Sequence, residues 1–277
     1  MIAVVSGGIM NVILDIIFVF PLDMGMAGAS IASVLGSILT TVILLFHFRS
    51  KANGLHINLK KFSPKFIVNI FKNGFTSFLV EVSSGIVLFI FNLQILKYIG
   101  DIGVSMYGVI ANTGIVVICL CNGINQASQP ILSTNHGAGL SNRIETVKKL
   151  GLKTAFIICS VPAVLGLIVP NLFTYIFLNP NAEILALSSN AIRIYFVGFF
   201  VIGLNMFIIG YFQSIVKPQL SLLLCLSRGC VLAIVFVFVL PPIIGVVGIW
   251  AAVPLAEFIT LAMGIYFLKK NKKEKLA

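Results

Sequence analysis

Charged residues are scarce in this sequence, and acids are the scarcest of them. Only 10% of its 277 residues are charged, and 8 Asp and Glu stand against 19 Lys and Arg. A soluble globular domain carries about 25% charged residues, so this chain cannot cover an ordinary water-facing surface. Hydrophobic residues make up 59% of the sequence, which places the chain in a lipid bilayer.

Sequence signatures of catalysis and of metal binding are also missing. There is no HExxH, no GxSxG and no intramembrane Ser-Lys arrangement, so we expect no enzyme activity. The three His lie in or beside basic segments, and no two Cys form a CxxC pair. We therefore expect no metal site and no disulfide, but small buried thiols at five positions: Cys119, Cys121, Cys159, Cys225 and Cys230.

The basic residues are present in clusters that alternate along the chain. Six lie between Arg49 and Lys72, four between Arg143 and Lys153, and five between Lys269 and Lys275. The intervening gaps carry Asp23, Asp101 and Glu183 instead, which is the positive-inside pattern of a multi-pass membrane protein. This pattern excludes nucleic acid as the partner, and it predicts a cell-membrane protein with both termini in the cytoplasm.

Long apolar runs predict an all-α fold of eight transmembrane helices, since a spanning helix needs about 20 apolar residues. Two amphipathic segments, 55–73 and 139–150, are predicted to lie at the membrane surface, and the first links two bundles. Four short connections, among them Pro21–Met24 and Pro241–Ile244, are expected on the outside. The predicted spans are 2–20, 25–47, 74–97, 103–126, 152–177, 187–214, 219–240 and 245–268.

Two segments near the ends of the chain match each other. At one constant spacing, residues 21–40 and 241–260 share a Pro, two Gly, an Ala and a Thr. Such a repeat of helical units is typical of transporters. It predicts two parallel six-helix lobes, with the first four helices of the N-terminal lobe missing. Residues 1–54 would then form the last two helices of the N-terminal lobe, 55–73 a linker helix and 74–277 a complete C-terminal lobe.

Five ionisable residues fall inside predicted spans, where each costs about 2.5–3.5 kcal/mol on insertion scales. Glu81 is the strongest candidate for function because it lies well inside the bilayer, and Asn92 falls near the same helical face. It is interpreted as a coupling or substrate residue, the alternative being a structural carboxyl. Asp15 shares a face with Asn11 and is interpreted as either functional or structural.

The other three intramembrane charges have structural interpretations first. Glu257 follows Pro254 by one turn, and it is either paired structurally or a second ion site. Arg193 and Arg228 are predicted to extend towards the membrane surface. The alternative for Arg193 is pairing with an acid, and the alternative for Arg228 is a role in a pathway.

A stripe of amide side chains marks the end of the fourth predicted span. The four residues follow a helical i, i+3, i+4, i+7 spacing on one face, and they are followed at once by Pro130. Because such a stripe is costly in lipid, it faces either a neighbouring helix or a water-filled path. Its members are Asn122, Asn125, Gln126 and Gln129.

Four stretches of the chain resemble the MATE (multidrug and toxic compound extrusion) family. The resemblance covers nearly the whole chain. The stretches are NVILDIIFVFPLDMGMAGASIAS at 11–33, EVSSGIVLFIFN at 81–92, NGINQASQPILSTNHGAG at 122–139 and YFQSIVKPQLSLLLCLSRG at 211–229.

The resemblance implies helices five to twelve of a twelve-helix antiporter that exports organic cations in exchange for protons or sodium. It places Glu81 at the family's acidic position in the seventh helix, and Asn11 and Asp15 at the Asn-Asp of the fifth helix. It implies no cofactor beyond the coupling ion, and as partners membrane lipid and a small lipophilic cation. The predicted tenth helix carries Arg193 and Asn205 where some members have an aspartate, which argues against sodium coupling through that position.

Two alternatives stay open within the wider superfamily. One is a lipid-linked saccharide flippase, which would need many basic residues at membrane depth, and only Arg193 and Arg228 qualify. The other is an inactive fragment, because a cleft between two lobes cannot close with one third of a lobe.

Overall fold

A computed structural model describes residues 2–46, 82–178 and 180–274, and over these ranges the chain is helical and contains no strand. Within these described ranges, seven segments are long and apolar enough to cross a membrane, which confirms a multi-pass membrane protein. The predicted span 74–97 is described only as the shorter apolar helix Val82–Tyr98, and the predicted linker 55–73 lies outside the described residues. The chain divides into two compact units, Met1–Ile67 and Val68–Ala277.

The first unit contains one helical hairpin, which we call hairpin 1. Its helices are α1, Ile2–Val19, and α2, Gly25–Phe46. They are joined by a tight turn in which Gly25 adopts a positive φ of 51°, a conformation that glycine reaches without strain. Small residues let the two backbones approach, since a Cβ at Gly36 would lie 2.8 Å from the carbonyl oxygen of Gly7.

The second unit is a bundle of helices. Its chain reverses at Gly100, Gly139 and Gly245, all of which have positive φ. A π-helical turn, Ser227–Val231, interrupts one membrane-spanning segment. The helices are α3 Val82–Tyr98, α4 Asp101–Gly137, α5 Ser141–Ile168, α6 Pro170–Phe177, α7 Ala182–Phe196, α8 Phe199–Ser214, α9 Pro218–Leu226, α10 Leu232–Ile244 and α11 Val246–Glu274.

Several predicted boundaries differ from the structure. The predicted span 152–177 is divided at Val169 into α5 and α6. Residues 141–150 form the first turns of α5, so the prediction of a separate surface helix at 139–150 is wrong. Helix α4 continues through Pro130 to Gly137, which places the amide stripe inside a helix. Pro241 and Pro242 belong to the last turns of α10, so the predicted connection at 241–244 is wrong; a proline keeps a helical φ, and Gly245 makes the reversal.

Small residues also set the packing of α5 against α8. The buried face of α5 repeats Gly151, Ala155, Cys159 and Ala163 at every fourth position. A Cβ at Gly203 of α8 would lie 2.5 Å from Cys159 Sγ and 2.9 Å from the carbonyl oxygen of Ala155. Without a hydrophobic driving force between helices in lipid, such close contact supplies the van der Waals attraction that holds the bundle together.

The core of the second unit is divided into two hydrophobic clusters. On α8, Ile202 belongs to one cluster and Phe207 to the other. Asn205 lies between them, and Glu257 follows Ala252 of the first cluster on α11. The boundary between the clusters is therefore a polar layer inside the bundle, and it contains the site described next.

Candidate functional site

Glu257 is buried within the last membrane helix of the second unit. It lies in α11 one turn after Pro254, whose ring removes a backbone N–H from the helix. Pro254 packs closely on the junction of α7 and α8, where a Cβ at Gly198 would lie 3.2 Å from Pro254 Cα. This close contact between Pro254 and Gly198 sets the position of Glu257 along the bundle.

Asn205 of α8 holds Glu257 through two hydrogen bonds. Its Nδ2 donates to Glu257 Oε2 at 2.7 Å and to the backbone oxygen of Glu257 at 2.8 Å. Asn205 is only 2% exposed, and its Oδ1 accepts no hydrogen bond from any described residue. A buried, unpartnered amide oxygen costs free energy, so this atom is an unused acceptor beside a carboxylate.

Arg228 supplies the opposite charge. Its Nε donates to Glu257 Oε1 at 2.7 Å, and the two side chains are 15% and 4% exposed. The prediction that Arg228 extends to the membrane surface is wrong, because its partner comes from a different helix and draws it into the bundle. Structural pairing, one of the two interpretations of Glu257, is observed.

The π-helical turn determines where Arg228 points. Arg228 lies in Ser227–Val231, where one extra residue per turn widens the helix between α9 and α10. Such turns occur often at functional sites. The charge pair therefore joins the one irregular turn of its span to the proline-containing segment of α11.

Two buried thiols belong to the cluster just beyond this polar layer. Cys121 of α4 and Cys159 of α5 have their Sγ atoms 3.2 Å apart. Both are buried, as predicted, whereas Cys119 is exposed and Cys225 and Cys230 are half-buried.

The predicted amide stripe divides into two parts. Asn125 Nδ2 donates to the carbonyl oxygen of Met206 at 3.1 Å, and Gln129 Nε2 contacts Gln213 Oε1 at 3.4 Å, so both amides face α8. Asn122 and Gln126 are exposed within the described part of the chain. The stripe thus contacts the neighbouring helix at two positions and leaves two amides outward.

The predicted pair in hairpin 1 is only half satisfied. Asn11 Nδ2 donates to Ser33 Oγ of α2 at 3.2 Å. Asp15 Oδ1 is buried and accepts no hydrogen bond from any described residue. A carboxylate left this way in an apolar helix is costly, so a role beyond hairpin packing remains a prediction for Asp15.

Glu81, the leading candidate from the sequence, lies outside the described residues. Asn92, its predicted neighbour, donates from Nδ2 to the carbonyl oxygen of Leu88 in its own helix at 2.9 Å. Arg193 is exposed. The structure therefore brings Glu257, Asn205 and Arg228 together, and it leaves the prediction for Glu81 and Asn92 as a prediction.

No sequence pattern predicts that Arg228 and Asn205 contact Glu257. Arg228 precedes its partner by 29 residues and Asn205 precedes it by 52, so no helical spacing connects them. One signal was present: an arginine and a glutamate at membrane depth in two consecutive predicted spans are each expensive alone, and pairing them reduces the cost. The asparagine carries no comparable signal.

The fold and this site define a class of protein: a multi-pass α-helical membrane protein with a charged cluster inside its bundle. The MatE family model matches residues 74–239, which is more than half of the chain. The chain therefore belongs to the MatE family. Within the second unit, the match includes Asn205 and Arg228 and ends before Glu257.

Curated relatives are multidrug exporters of staphylococci. The chain is 23% identical over 280 residues to multidrug export protein MepA of Staphylococcus saprophyticus, covering 98% of this chain and 60% of the relative. It is 20% identical over 274 residues to MepA of Staphylococcus aureus strain MW2, with 95% and 58% covered. The chain thus spans about three fifths of the length of these relatives.

Solved structures of similar fold are MATE and MOP superfamily transporters. One is an outward-facing multidrug resistance MATE family transporter, with a TM-score of 0.83, 23% identity, and 98% of this chain and 61% of that chain covered. Another is a MOP superfamily transporter from Pyrococcus furiosus whose reverse binding-pocket polarity suggests a different function, with a TM-score of 0.84, 23% identity and the same coverage. The similarity establishes the MATE transporter fold.

Proposed function

We propose that this chain takes part in secondary active export of lipophilic organic cations across the cell membrane, in exchange for protons or sodium. Membership of the MatE family supports the transporter class, and relatives named multidrug export proteins support the substrate class. As in a MATE exporter, the substrate would be a small lipophilic cation and the coupling ion would need no further cofactor.

One observation from the structure carries the proposal: Glu257 is buried as a hydrogen-bonded carboxylate in the middle of an apolar bundle. Ionisable groups inside membrane helices are rare because they are expensive, and they mark ion and substrate pathways. Because Arg228 pairs with Glu257 in this conformation, the charge pair supports a polar path through the bundle, and the preference for a cation comes from the relatives named multidrug export proteins.

The flippase alternative has less support. A flippase for an anionic lipid-linked substrate needs basic residues whose charge is available inside the bundle. Arg228 is neutralised by Glu257 at 2.7 Å, so it offers no net positive charge to such a substrate. Arg193 is exposed.

We assign candidate roles to the residues singled out from the sequence. Glu81, with Asn92 nearby, is proposed to couple cation movement, and Asn11 and Asp15 to form a second polar position. The amides Asn122, Asn125, Gln126 and Gln129, together with Glu257, are proposed to contribute to the path. The exposed amides Asn122 and Gln126 fit this role better than the two that contact α8.

The test is efflux of ethidium from drug-sensitive cells that express these 277 residues. Expression should lower ethidium accumulation relative to an empty vector. Glu81→Gln should abolish the difference, because the amide has the shape of the carboxyl but cannot carry its charge.

The matched control is Glu145→Gln. Glu145 is a carboxylate outside the apolar part of α5, with its side chain 39% exposed and paired to Lys148 at 2.6 Å. This variant should pump as the parent chain does at equal membrane abundance. Equal efflux by Glu81→Gln and the parent would remove Glu81 from the mechanism, and no efflux by the parent would reject export by this chain alone.

A further inference from the structure

We propose that Glu257 is a binding site for a monovalent cation and that Arg228 is a tethered cation which occupies this site in the present conformation. A free cation would reach Glu257 only by replacing the guanidinium. The inference deepens the proposed function and rests on it, because it says how one carboxylate of the path is controlled.

Both carboxylate oxygens of Glu257 are already in use. Oε1 accepts from Arg228 Nε at 2.7 Å and Oε2 accepts from Asn205 Nδ2 at 2.7 Å. The carboxylate therefore has its strongest acceptor positions filled by groups of the chain itself. Any other cation must compete with Arg228, since the asparagine carries no charge.

The hold of Arg228 on the carboxylate is of a kind that can be exchanged. The guanidinium contacts Glu257 through Nε to Oε1, with no second, parallel contact to Oε2, which Asn205 occupies. Strong, geometrically specific arginine pairs are bidentate, with two parallel bonds to the two oxygens. Because Arg228 makes a single charged hydrogen bond, moving it away from Glu257 breaks one bond, whereas separating a bidentate pair would break two.

An unused oxygen beside the carboxylate points to a further ligand. Asn205 Oδ1 is buried and accepts no hydrogen bond from any described residue, and its own Nδ2 is 2.7 Å from Glu257. Carboxylate and amide oxygens are the ligands that hard cations prefer, and turning the amide of Asn205 over would bring this oxygen to the carboxylate. A bound monovalent cation would satisfy this oxygen, whereas Arg228 leaves it without a partner.

The geometry of the backbone gives Arg228 a way to leave. It lies in the π-helical turn Ser227–Val231, and its side chain is 15% exposed against 4% for Glu257, so it is the outer member of the pair. Moving a wide turn by one residue along a helix rotates the residue it passes by roughly 100°, one step of an α-helix. Such a shift would carry the guanidinium off the carboxylate without unfolding the span.

Arg228 can leave Glu257 only when another cation takes its place. A carboxylate inside an apolar bundle is strongly unfavourable without a positive partner. The state without Arg228 at Glu257 is therefore accessible when another cation takes its place. This condition is what makes a tethered cation useful in a transporter, because it links the movement of a helix to occupancy of the site.

The experiment measures binding of two probes, sodium and tetraphenylphosphonium, to the purified full chain in detergent by isothermal titration calorimetry. Arg228→Met removes the internal competitor at similar length and should tighten binding of at least one probe by about tenfold if the arginine fills the site nine tenths of the time. Arg228→Met combined with Glu257→Gln should lose the gain. Lys148→Met, which removes a paired cation elsewhere, should bind as the parent chain does.

The two probes distinguish the source of the cation. A gain for sodium alone identifies an ion site, and a gain for tetraphenylphosphonium identifies a place for the exported cation. Should Arg228→Met fail to fold, Arg228→Lys decides instead, since its shorter ammonium lacks the planar geometry of arginine and should give a gain of about two- to fivefold.

Unchanged affinity for both probes in the variant that folds would overturn the proposal and leave the pair as a structural tie. A gain that persists with Glu257→Gln would place the new site elsewhere and overturn it as well. The result is separate from export: efflux by the parent chain without any gain in binding rejects only the tethered cation, and a gain in binding without efflux rejects only export by this chain.

Discussion

Two hairpins of this protein share their turns and their small packing residues but differ in their polar side chains. Hairpin 1 consists of α1 and α2, and we call α10, α11 and the π-helical turn before them hairpin 2. Gly25 and Gly245 make the two reversals with φ of 51° and 65°. Ala32 and Ala252 occupy equivalent positions and are fully buried.

The resemblance extends to hydrogen bonds and to close contacts. Thr40 and Thr260 each donate to the carbonyl oxygen four residues earlier, at 3.0 Å and 2.8 Å. A Cβ at Gly28 would lie 2.8 Å from Phe18 Cβ, and one at Gly248 would lie 2.6 Å from the carbonyl carbon of Leu240. In each hairpin a glycine thus lets the second helix start against the end of the first.

The polar residues of the two hairpins do not occupy equivalent positions. At the spacing that aligns the two prolines, Ser37 stands where hairpin 2 has Glu257, and Gly8 stands where it has Arg228. Conversely, Asp15 of hairpin 1 corresponds to Val235. The small residues and the turn therefore determine the shape of the hairpin, and each copy places its charges independently of that shape.

The largest expected difference in stability between the two hairpins comes from removing the charge pair of hairpin 2. Arg228→Met should lower the free energy of unfolding by about 3–5 kcal/mol, because it leaves Glu257 buried and unpaired. Gly8→Met, at the matched position in hairpin 1, should cost far less, since its Cβ would meet no described atom within 4 Å. Reversible unfolding in mixed dodecyl sulfate micelles measures both, and equal costs would show that the pair contributes nothing.

The second prediction exchanges the acid between the hairpins. Asp15→Leu should stabilise hairpin 1 by about 2–3 kcal/mol, because it removes a carboxyl whose Oδ1 has no described partner. Val235→Asp, at the matched position, should destabilise hairpin 2 by a similar amount. The same unfolding measurement applies, and a loss of stability in Asp15→Leu would show that Asp15 has a partner outside the described residues.

The third prediction tests the shared turn. Gly28→Ala and Gly248→Ala should each cost about 1–3 kcal/mol, since the added methyl group meets the end of the preceding helix in both hairpins. Gly8→Ala is the control, and it should be neutral or stabilising by about 1 kcal/mol from helix propensity. A large cost in one hairpin alone would contradict the common plan.

The smallest expected effect concerns the bond between Asn11 and Ser33 in hairpin 1. A double-mutant cycle with Asn11→Ala and Ser33→Ala should give a coupling energy of about 0.6 kcal/mol, the average for such bonds in membrane helices. Val231, which corresponds to Asn11 in hairpin 2, makes no equivalent bond, so Val231→Ala and Val253→Ala should show no coupling. Coupling of equal size in both hairpins would remove this difference between them.

The sequence predicted the hairpins better than it predicted the site. Glycines with positive φ and the matching small residues are local features, and local features leave a visible pattern. The sequence predicts the turn at 241–244 because a proline usually ends a helix, whereas the helix continues to Ile244 and Gly245 makes the reversal.

The site depends on contacts between distant parts of the chain. Glu257 was singled out from its own helix, since a carboxyl among apolar residues stands out. The sequence predicts Arg228 at the membrane surface, because a long charged side chain near a helix end usually reaches the surface. The π-helical turn that redirects the Arg228 side chain is a property of the backbone, and no residue pattern in Ser227–Val231 predicts this turn.

The buried positions of α9 depend on that same wide turn. Ser221 and Leu224 precede it and are 2% and 1% exposed. Deleting one residue between Ser227 and Val231 would restore a regular helix and shift the angular phase of everything upstream by about 100°. Both side chains would then leave the interior, so this span tolerates substitution far better than it tolerates a change in length.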